Sequence, residues 1–297
     1  MTIRVAFIGF GEVACALSTA MAARGARVAA YDVLLEQPAG GALLTARAPA
    51  IGVQLCSLPD AVRGAQFVLS TVTTTVARHA AQQCVPLLAA GQTYVDLNAS
   101  EPEVKREIGR IIAQSGASFV EGAVLGAVGV TGAKTEILLG GPHAKRAEHE
   151  LGAGLGLNVR FYSADVGKAS MFKMLRSVFS KGLEALLIEF LVAGERAGIR
   201  DDLWREVTEL MANHPFEKTA SNWVRTHATA HARRHHEMEQ VADVLRGLGI
   251  DPIITAATEA FFERSSTLGL QERFPTTPGA MDDVVQFVNE RLPPAPK

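Results

Sequence analysis

The sequence is poor in cysteine, in net charge and in long apolar runs. Among its 297 residues, Cys15, Cys56 and Cys84 are too few and too scattered for a disulfide framework or a zinc knuckle. A net charge of −2 argues against a nucleic-acid-binding surface. The longest apolar run, residues 185–194, is interrupted by Glu189 and is too short to span a bilayer. We therefore expect a cytoplasmic protein without nucleic-acid or membrane partners.

Strand and helix patterns alternate over the first half of the chain, and the second half is helical. Alternation of this kind is typical of a parallel sheet covered by helices. From about Gly167 the apolar periodicity is helical almost to the end. The sequence therefore predicts an α/β fold: a Rossmann-type doubly wound sheet over residues 1–165, followed by an all-α domain over residues 166–297. The later predicted strands begin near Phe67, Tyr94, Phe119, Thr135 and Val159.

The first 32 residues carry a dinucleotide-binding pattern. An apolar strand leads into Gly9-Phe-Gly-Glu-Val-Ala14, and a second strand ends at Asp32. Gly9 permits a tight turn, Gly11 lets the backbone approach a pyrophosphate, and the helix that opens there directs free N–H groups at the phosphates. Asp32 can bind a ribose 2′-hydroxyl and would repel a 2′-phosphate, so the pattern predicts NAD rather than NADP. The predicted cofactor-binding residues are Gly9, Phe10, Gly11, Glu12, Val13, Asp32, Thr71, Val72, Thr73 and Asn98.

Proteins that bind NADP often carry an arginine after the second strand, where it binds the 2′-phosphate. Here Val33 and Leu34 follow Asp32, and neither can bind that group. Thr71 and Thr73 stand at the end of the fourth predicted strand, near the expected adenosine ribose. A half-buried strand face explains these two threonines equally well.

A long helix is predicted from about Lys168 to Gly198, and one side of it is polar. At about 100° per residue, its polar side chains occupy an arc of about 140°. Serine competes with the backbone for hydrogen bonds and is a poor choice for an ordinary solvated helix face. The arc favours a cleft wall that holds an anionic ligand, and a wet surface is the alternative. The arc consists of Ser170, Lys173, Arg176, Ser177, Ser180, Lys181 and Glu184.

Three histidines recur at four-residue intervals in the second half. His227, His231 and His235 span two helical turns, so they cannot all converge on one ion, and we expect no metal here. With Arg233 or Arg234 they favour a cationic stripe that completes a pocket for an anionic substrate. A plain solvated face is the alternative.

Four segments resemble motifs of one enzyme superfamily. They are the glycine motif; residues 95–102, similar to an Asp-x-Ser-Thr-x-x-Pro segment beside nicotinamide; residues 121–127, similar to a substrate loop Asp-Ala-Pro-Val-Ser-Gly-Gly; and Gly167 with Lys173, at the spacing of a catalytic lysine motif. The sequence thereby resembles the β-hydroxyacid dehydrogenases, which include 3-hydroxyisobutyrate and 6-phosphogluconate dehydrogenases. Its second half looks like a less-studied branch with a domain of unknown function.

The resemblance implies an NAD-dependent oxidoreductase that moves hydride between nicotinamide and a small hydroxy acid or related polar alcohol. Lys173 is the predicted general acid/base. A free lysine is a poor base at neutral pH, so burial and nearby cations such as Arg176 or Lys181 must lower its pKa. The predicted substrate-binding residues are Ser177, Arg176, Gly126, Ala127, Asn98 and Arg234.

Two departures from the superfamily pattern leave the substrate open. Leu125 replaces the substrate-loop serine, and Ser177 replaces the asparagine usually found four residues after the lysine. An imine reductase is one alternative, although enzymes of that branch usually lack the lysine. A non-catalytic NAD-binding sensor is another, supported by Leu125. Relatives form dimers through the helical domain, so a homodimer is expected.

Overall fold

The computed structural model describes residues 2–48 and 51–294. Contacts divide the chain into two compact units, one ending at Val178 and the other beginning at Phe179. The predicted domain boundary at residue 165 stays a prediction. None of the helices in the described ranges is both long enough and apolar enough to cross a membrane.

An eight-stranded sheet forms the centre of the first unit. Its spatial order is β3-β2-β1-β4-β5-β6-β7-β8, and the order reverses between β1 and β4. Doubly wound sheets bind their ligands at such a switch point, outside the carboxyl ends of the strands. The predicted Rossmann-type sheet is therefore confirmed. The strands are β1 (Arg4–Ile8), β2 (Arg27–Tyr31), β3 (Val53–Leu55), β4 (Phe67–Ser70), β5 (Thr93–Asp96), β6 (Ser118–Val124), β7 (Ile137–Gly140) and β8 (Val159–Ser163).

Two strands depart from the expected parallel arrangement. β7 pairs antiparallel with β6, and β8 then pairs parallel with β7 at the edge of the sheet. The segment between β6 and β7 contains short helical turns and no long crossover helix, so it returns the chain beside β6 in the opposite direction. The strand predictions near Thr135 and Val159 are confirmed, but the expected parallel direction is wrong at β7 and β8, which run opposite to the first six strands.

Helices cover both faces of this sheet. Phe7 faces a core that includes Leu17 and Met21, while the next residue, Ile8, faces a second core that includes Tyr94 and Ile108. This alternation follows from the two-residue period of a strand. The helices that precede the long one are α1 (Glu12–Ala23), α2 (Pro38–Arg47), α3 (Leu58–Val62), α4 (Ala77–Cys84), α5 (Pro102–Ala113), α6 (Val128–Thr131) and α7 (Ala144–Glu148).

The second half of the chain is helical, as predicted. α8 (Lys168–Ala197) begins in the first unit and continues into the second. Within the second unit α10 packs along α11, and a small core around Ala228 and Phe274 joins α10 to the last two helices. The remaining helices are α9 (Arg200–Asn213), α10 (Phe216–Gly247), α11 (Ile253–Ser266), α12 (Leu270–Arg273) and α13 (Met281–Arg291).

Candidate active site

Gly9 forms a tight turn directly after β1. Its φ is +87°, and a Cβ there would lie 2.8 Å from the carbonyl oxygen of Thr71, so both backbone conformation and packing require glycine. The Gly9 N–H donates to the Tyr31 carbonyl at 2.8 Å, and Thr71 Oγ1 donates to the Gly9 carbonyl at 2.7 Å. The hydroxyl of Thr71 therefore braces the turn. Val72 is half-buried against Gly9, and Thr73 is exposed.

The N-terminus of α1 is open in the way that a pyrophosphate requires. Gly11 is the N-cap residue, and no side chain caps the helix, so the N–H groups of the first turn lack a side-chain acceptor. A Cβ placed on Gly11 would meet no atom within 4 Å. Phe10 is buried beneath the turn, while Glu12 is exposed and Val13 half-buried in the first helical turn. The residues present fit a dinucleotide phosphate at this end of the helix.

Asp32 connects the glycine turn to the end of β2. Its Oδ2 accepts from the Phe10 N–H at 2.7 Å, and its Oδ1 accepts from the Leu34 N–H at 2.9 Å. Each carboxylate oxygen has a further lone pair for a ribose hydroxyl. Val33 and Leu34 beside it are exposed apolar side chains and offer no charge to a 2′-phosphate.

Asn98 presents a buried acceptor without a partner. Its Nδ2 donates to Ser70 Oγ at 2.9 Å and to Asp96 Oδ1 at 2.5 Å, so the orientation of the amide is fixed. No group among the described residues donates to Asn98 Oδ1, although the atom is buried. A buried acceptor in this position costs free energy unless it is satisfied, and the carboxamide of nicotinamide is a donor of suitable chemistry.

A buried ionic cluster lies behind this loop, and the sequence analysis missed it. Lys105 is fully buried, and its Nζ lies 2.8 Å from the Asp96 carbonyl and 3.3 Å from Asp96 Oδ2. Burial lowers the pKa of Lys105, while the negative charges of Asp96 and Glu121 oppose that shift. The sequence does hold a signal, because Lys105 shares one face of α5 with the buried Ile108 and stands out there as a charge.

Glu121 anchors the start of α8. This fully buried carboxylate accepts from the N–H of Gly167 at 2.7 Å, from the N–H of Ala169 at 3.1 Å and from Ser170 Oγ at 2.7 Å. Negative charge at a helix N-terminus is favourable because the first N–H groups lack partners in the helix. Glu121 therefore fixes the position of the first turn of α8, which precedes Lys173.

Lys173 is half-buried on α8, one turn after Ser170. Burial and then repulsion from the Lys105 ammonium lower the pKa of Lys173 from its ordinary value. The sequence interpretation attributed a lowered pKa to burial and to nearby cations such as Arg176 or Lys181; burial is confirmed as the main cause, but the choice of cation is wrong. Lys105 supplies the positive charge, and Lys181 is exposed and pairs with Glu184 at 2.6 Å.

The next turn of α8 carries two exposed polar residues. Ser177 Oγ donates to the Lys173 carbonyl at 3.0 Å, a bond within the helix that leaves the oxygen free to accept from a ligand. Arg176 is exposed and has no ion-pair partner in the described part of the chain. Both remain predicted substrate-binding residues.

Leu125, which replaces the superfamily serine, contributes to apolar packing. It is half-buried and packs with Phe172 against a small core that contains Ala169. Gly126 and Ala127 follow it and are exposed, and no acceptor among the described residues takes their N–H groups. The loop can therefore offer backbone donors to a ligand, but no hydroxyl at position 125.

Two of the three regularly spaced histidines, His227 and His231, pack within the second unit. His227 Nε2 lies 2.9 Å from Ser265 Oγ on α11, and burial, with the nearby His231 and Arg234, lowers the pKa of His227 to about 4. His231 is buried. The predicted cationic stripe is therefore corrected, because His227 is neutral at pH 7 and His231 is not at the surface. Arg234 donates to Thr226 Oγ1 at 2.7 Å, and its role in substrate binding stays a prediction.

Three features define a dehydrogenase-like protein that binds a nicotinamide dinucleotide. They are the Gly9 turn at the point where the strand order reverses, the open N-terminus of α1, and Asp32 after β2. Residues 4–150 match the NAD binding domain of 6-phosphogluconate dehydrogenase, and residues 195–265 match a domain of unknown function, DUF1932. The chain belongs to the 6-phosphogluconate-dehydrogenase-like NAD-binding superfamily, in the branch that carries this C-terminal domain.

Solved structures of similar proteins agree with this placement. A conserved hypothetical protein from Sinorhizobium meliloti 1021 is 31% identical with a TM-score of 0.62, over 98% of this chain and 97% of that chain. A conserved protein of unknown function, reported as similar in structure to 3-hydroxyacid dehydrogenases, is 32% identical with a TM-score of 0.59, over 91% and 97% of the two chains.

Imine reductases share the fold at lower identity. The enzyme from Myxococcus stipitatus, as a variant in complex with NAD⁺, is 17% identical with a TM-score of 0.76, over 97% of this chain and 100% of that chain. Another structure of that reductase contains NADP⁺ and has a TM-score of 0.75. This chain thus has an NAD(P)-binding domain on a fold shared by enzymes that use either cofactor.

Proposed function

We propose that this chain is an NAD-dependent oxidoreductase that moves hydride between nicotinamide and a small hydroxy acid or related polar alcohol. The observation that carries the proposal is Lys173. Its half-buried amine has a lowered pKa and lies in the same unit as the glycine turn and Asn98. A base whose pKa is brought towards the working pH is what removal of a hydroxyl proton requires.

Each proposed site residue has a distinct task in this reaction. The bound nicotinamide supplies the hydride acceptor. Neutral Lys173 accepts the hydroxyl proton during oxidation, and its ammonium returns that proton to the carbonyl oxygen during reduction. Arg176 binds the substrate carboxylate, and Ser177 hydrogen-bonds the substrate oxygen. Asn98 Oδ1 accepts a hydrogen bond from the nicotinamide carboxamide.

The test is turnover of a panel of small hydroxy acids with NAD⁺, followed by NADH absorbance. Lys173→Ala is expected to lower kcat by about 10²- to 10⁴-fold, the usual contribution of a general acid/base, and to leave NADH binding unchanged. Since burial lowers the pKa of Lys173, kcat/KM for oxidation should rise with pH at a midpoint below the ordinary lysine value of 10.5.

Lys168→Ala is the matched control, because Lys168 is an exposed lysine at the start of the same helix. Its turnover should equal that of the wild type. Turnover by Lys173→Ala at the wild-type rate would disprove the lysine assignment. NADH binding without turnover of any substrate would instead support the sensor alternative.

The packing of Leu125 favours reduction of an imine as a second candidate. An apolar side chain that packs against the same small core as Phe172 suits an uncharged substrate better than a carboxylate. The same Lys173 ammonium would then donate a proton to the imine nitrogen. Cyclic imines incubated with NADH distinguish the two reactions, because a hydroxy acid dehydrogenase leaves them unchanged.

NAD is the proposed cofactor because Asp32 would repel a 2′-phosphate and Leu34 offers no positive charge. NADH should bind at least about tenfold more tightly than NADPH, measured by titration of nicotinamide fluorescence. Leu34→Arg supplies a guanidinium beside the ribose and keeps Asp32, whose carboxylate supports the glycine turn. This variant should reduce the preference for NADH over NADPH. Tighter binding of NADPH by the wild type would contradict the assignment.

A further inference from the structure

Three side chains of metal-ligating type meet between α10 and α11. His235 and Glu239 are four residues apart on α10 and therefore lie on one face of that helix. Glu259 lies on α11, which packs along α10. One possible ligand atom from each of the three residues lies within 4.8 Å of the other two.

These groups are free to bind a ligand. His235 and Glu259 are half-buried, and neither has a hydrogen-bond or ion-pair partner among the described residues. Glu239 accepts from His236 Nδ1 at 3.0 Å through one oxygen, so its other oxygen is available. Two carboxylates at this separation repel each other, and a cation between them would offset the repulsion.

The spacing is close to that of a coordination shell. Two atoms that bind one ion tetrahedrally at about 2.1 Å lie about 3.4 Å apart, so the separations of up to 4.8 Å between the three groups need to shorten by at most about 1.4 Å. Side-chain torsions supply such a movement without a shift of the helices. Imidazole with carboxylates is a ligand set that suits Zn²⁺, whereas Mg²⁺ and Ca²⁺ prefer oxygen ligands alone.

We infer that His235, Glu239 and Glu259 form a binding site for a divalent transition-metal ion of the Zn²⁺ type. Three protein ligands leave the remaining positions for water, and the bound ion links α10 to α11. Of the three histidines spaced four residues apart, only His235 belongs to this site, because His227 contacts Ser265 and His231 contacts the His227 carbonyl. The site is also independent of Lys173 and of the proposed reaction.

The experiment is a titration of the full chain with ZnCl₂ by calorimetry, after removal of any purification tag and treatment with EDTA. We expect one site per chain that includes these residues. Glu259→Gln and His235→Asn should each weaken the affinity of the site for Zn²⁺ at least about tenfold. Removal of a group that only hydrogen-bonds to a metal ligand already lowers metal affinity by about that factor, and removal of a ligand lowers it further. Zn²⁺ should also raise the Tm of the wild type, because it binds the folded state, and Mg²⁺ at equal concentration should not.

Glu263→Gln is the matched control, because Glu263 lies one turn further along α11 and outside the cluster. Its Zn²⁺ affinity should equal that of the wild type. Circular dichroism checks that each variant folds, and Co²⁺ absorption of the wild type and of Glu239→Gln gives a second readout. Absence of Zn²⁺ binding, or equal affinity in the wild type and all variants, would overturn the inference.

Discussion

Glu121 is the single side chain on which the start of α8 most depends. Its carboxylate accepts three hydrogen bonds there, and glutamine would offer one acceptor oxygen and turn an NH₂ group towards existing donors. We expect Glu121→Gln to lower the free energy of unfolding by about 2 kcal/mol, the range for hydrogen bonds to a charged group. Urea denaturation measures this change.

Glu107→Gln makes the same chemical change at a partly exposed ion pair with Arg78. This variant should lower the free energy of unfolding by less than about 1 kcal/mol, as is usual for ion pairs at the surface. Equal losses in the two variants would show that the buried hydrogen bonds of Glu121 contribute no more than a surface contact.

Individual residues of the candidate site differ in how far the sequence reveals them. Asp32 and Lys173 are recognisable because their neighbours along the chain define them, through a strand end in one case and a motif spacing in the other. The influence of Lys105 on Lys173 depends on how α5, β6 and α8 lie together, which no local spacing encodes. The sequence therefore provides candidate site residues, but it does not reveal which charge lowers the pKa of Lys173.

Helix α11 begins against an acid that belongs to another helix. Glu189 of α8 accepts from the N–H groups of Ile254 and Thr255 and from the Thr255 hydroxyl, at 2.7 to 2.9 Å. Partial burial alone would raise the pKa of Glu189, but these hydrogen bonds lower it below the ordinary value. The interaction is therefore fully present above pH 4.5 and is lost as the pH falls through the lowered pKa.

Glu189→Ala should destabilise the protein by about 1 kcal/mol at pH 7, as loss of a helix cap does. The difference in Tm from the wild type should shrink in acid, below the ordinary glutamate pKa. Glu184→Ala removes an exposed acid from the same helix and should change Tm little at either pH. A difference for Glu189→Ala that is constant with pH would argue against a charged cap.

Strand positions were predictable and strand direction was not. The antiparallel strand β7 and the parallel strand β4 both read as short apolar runs, because each is buried on both faces. Direction depends on whether the connection crosses the sheet, and residues 125–136 contain too little helix to do so. Periodicity therefore identifies the layers of this fold better than it identifies their topology.

Many large apolar side chains are exposed on the helices of the described residues. On α8 alone, Val178 is 73% exposed, Ile188 is 60% and Phe179 is 56%. Single exposed apolar residues are normal, but a series along one helix marks a surface that binds another protein. We expect a second copy of this chain to cover it, so that the protein in solution has about twice the monomer mass of 31.6 kDa.

Light scattering after size exclusion measures that mass, and charged substitutions identify the surface. The double variant Val178→Glu with Ile188→Glu should convert the dimer to a monomer. Burial of two unpaired carboxylates at an apolar interface is unfavourable by more free energy than the remaining contacts contribute. Leu43→Glu is the control, since Leu43 is 71% exposed on α2 in the first unit, away from α8 in the chain. It should leave the dimer intact. A wild-type monomer at micromolar concentration, or dissociation by Leu43→Glu alone, would exclude an interface formed by α8.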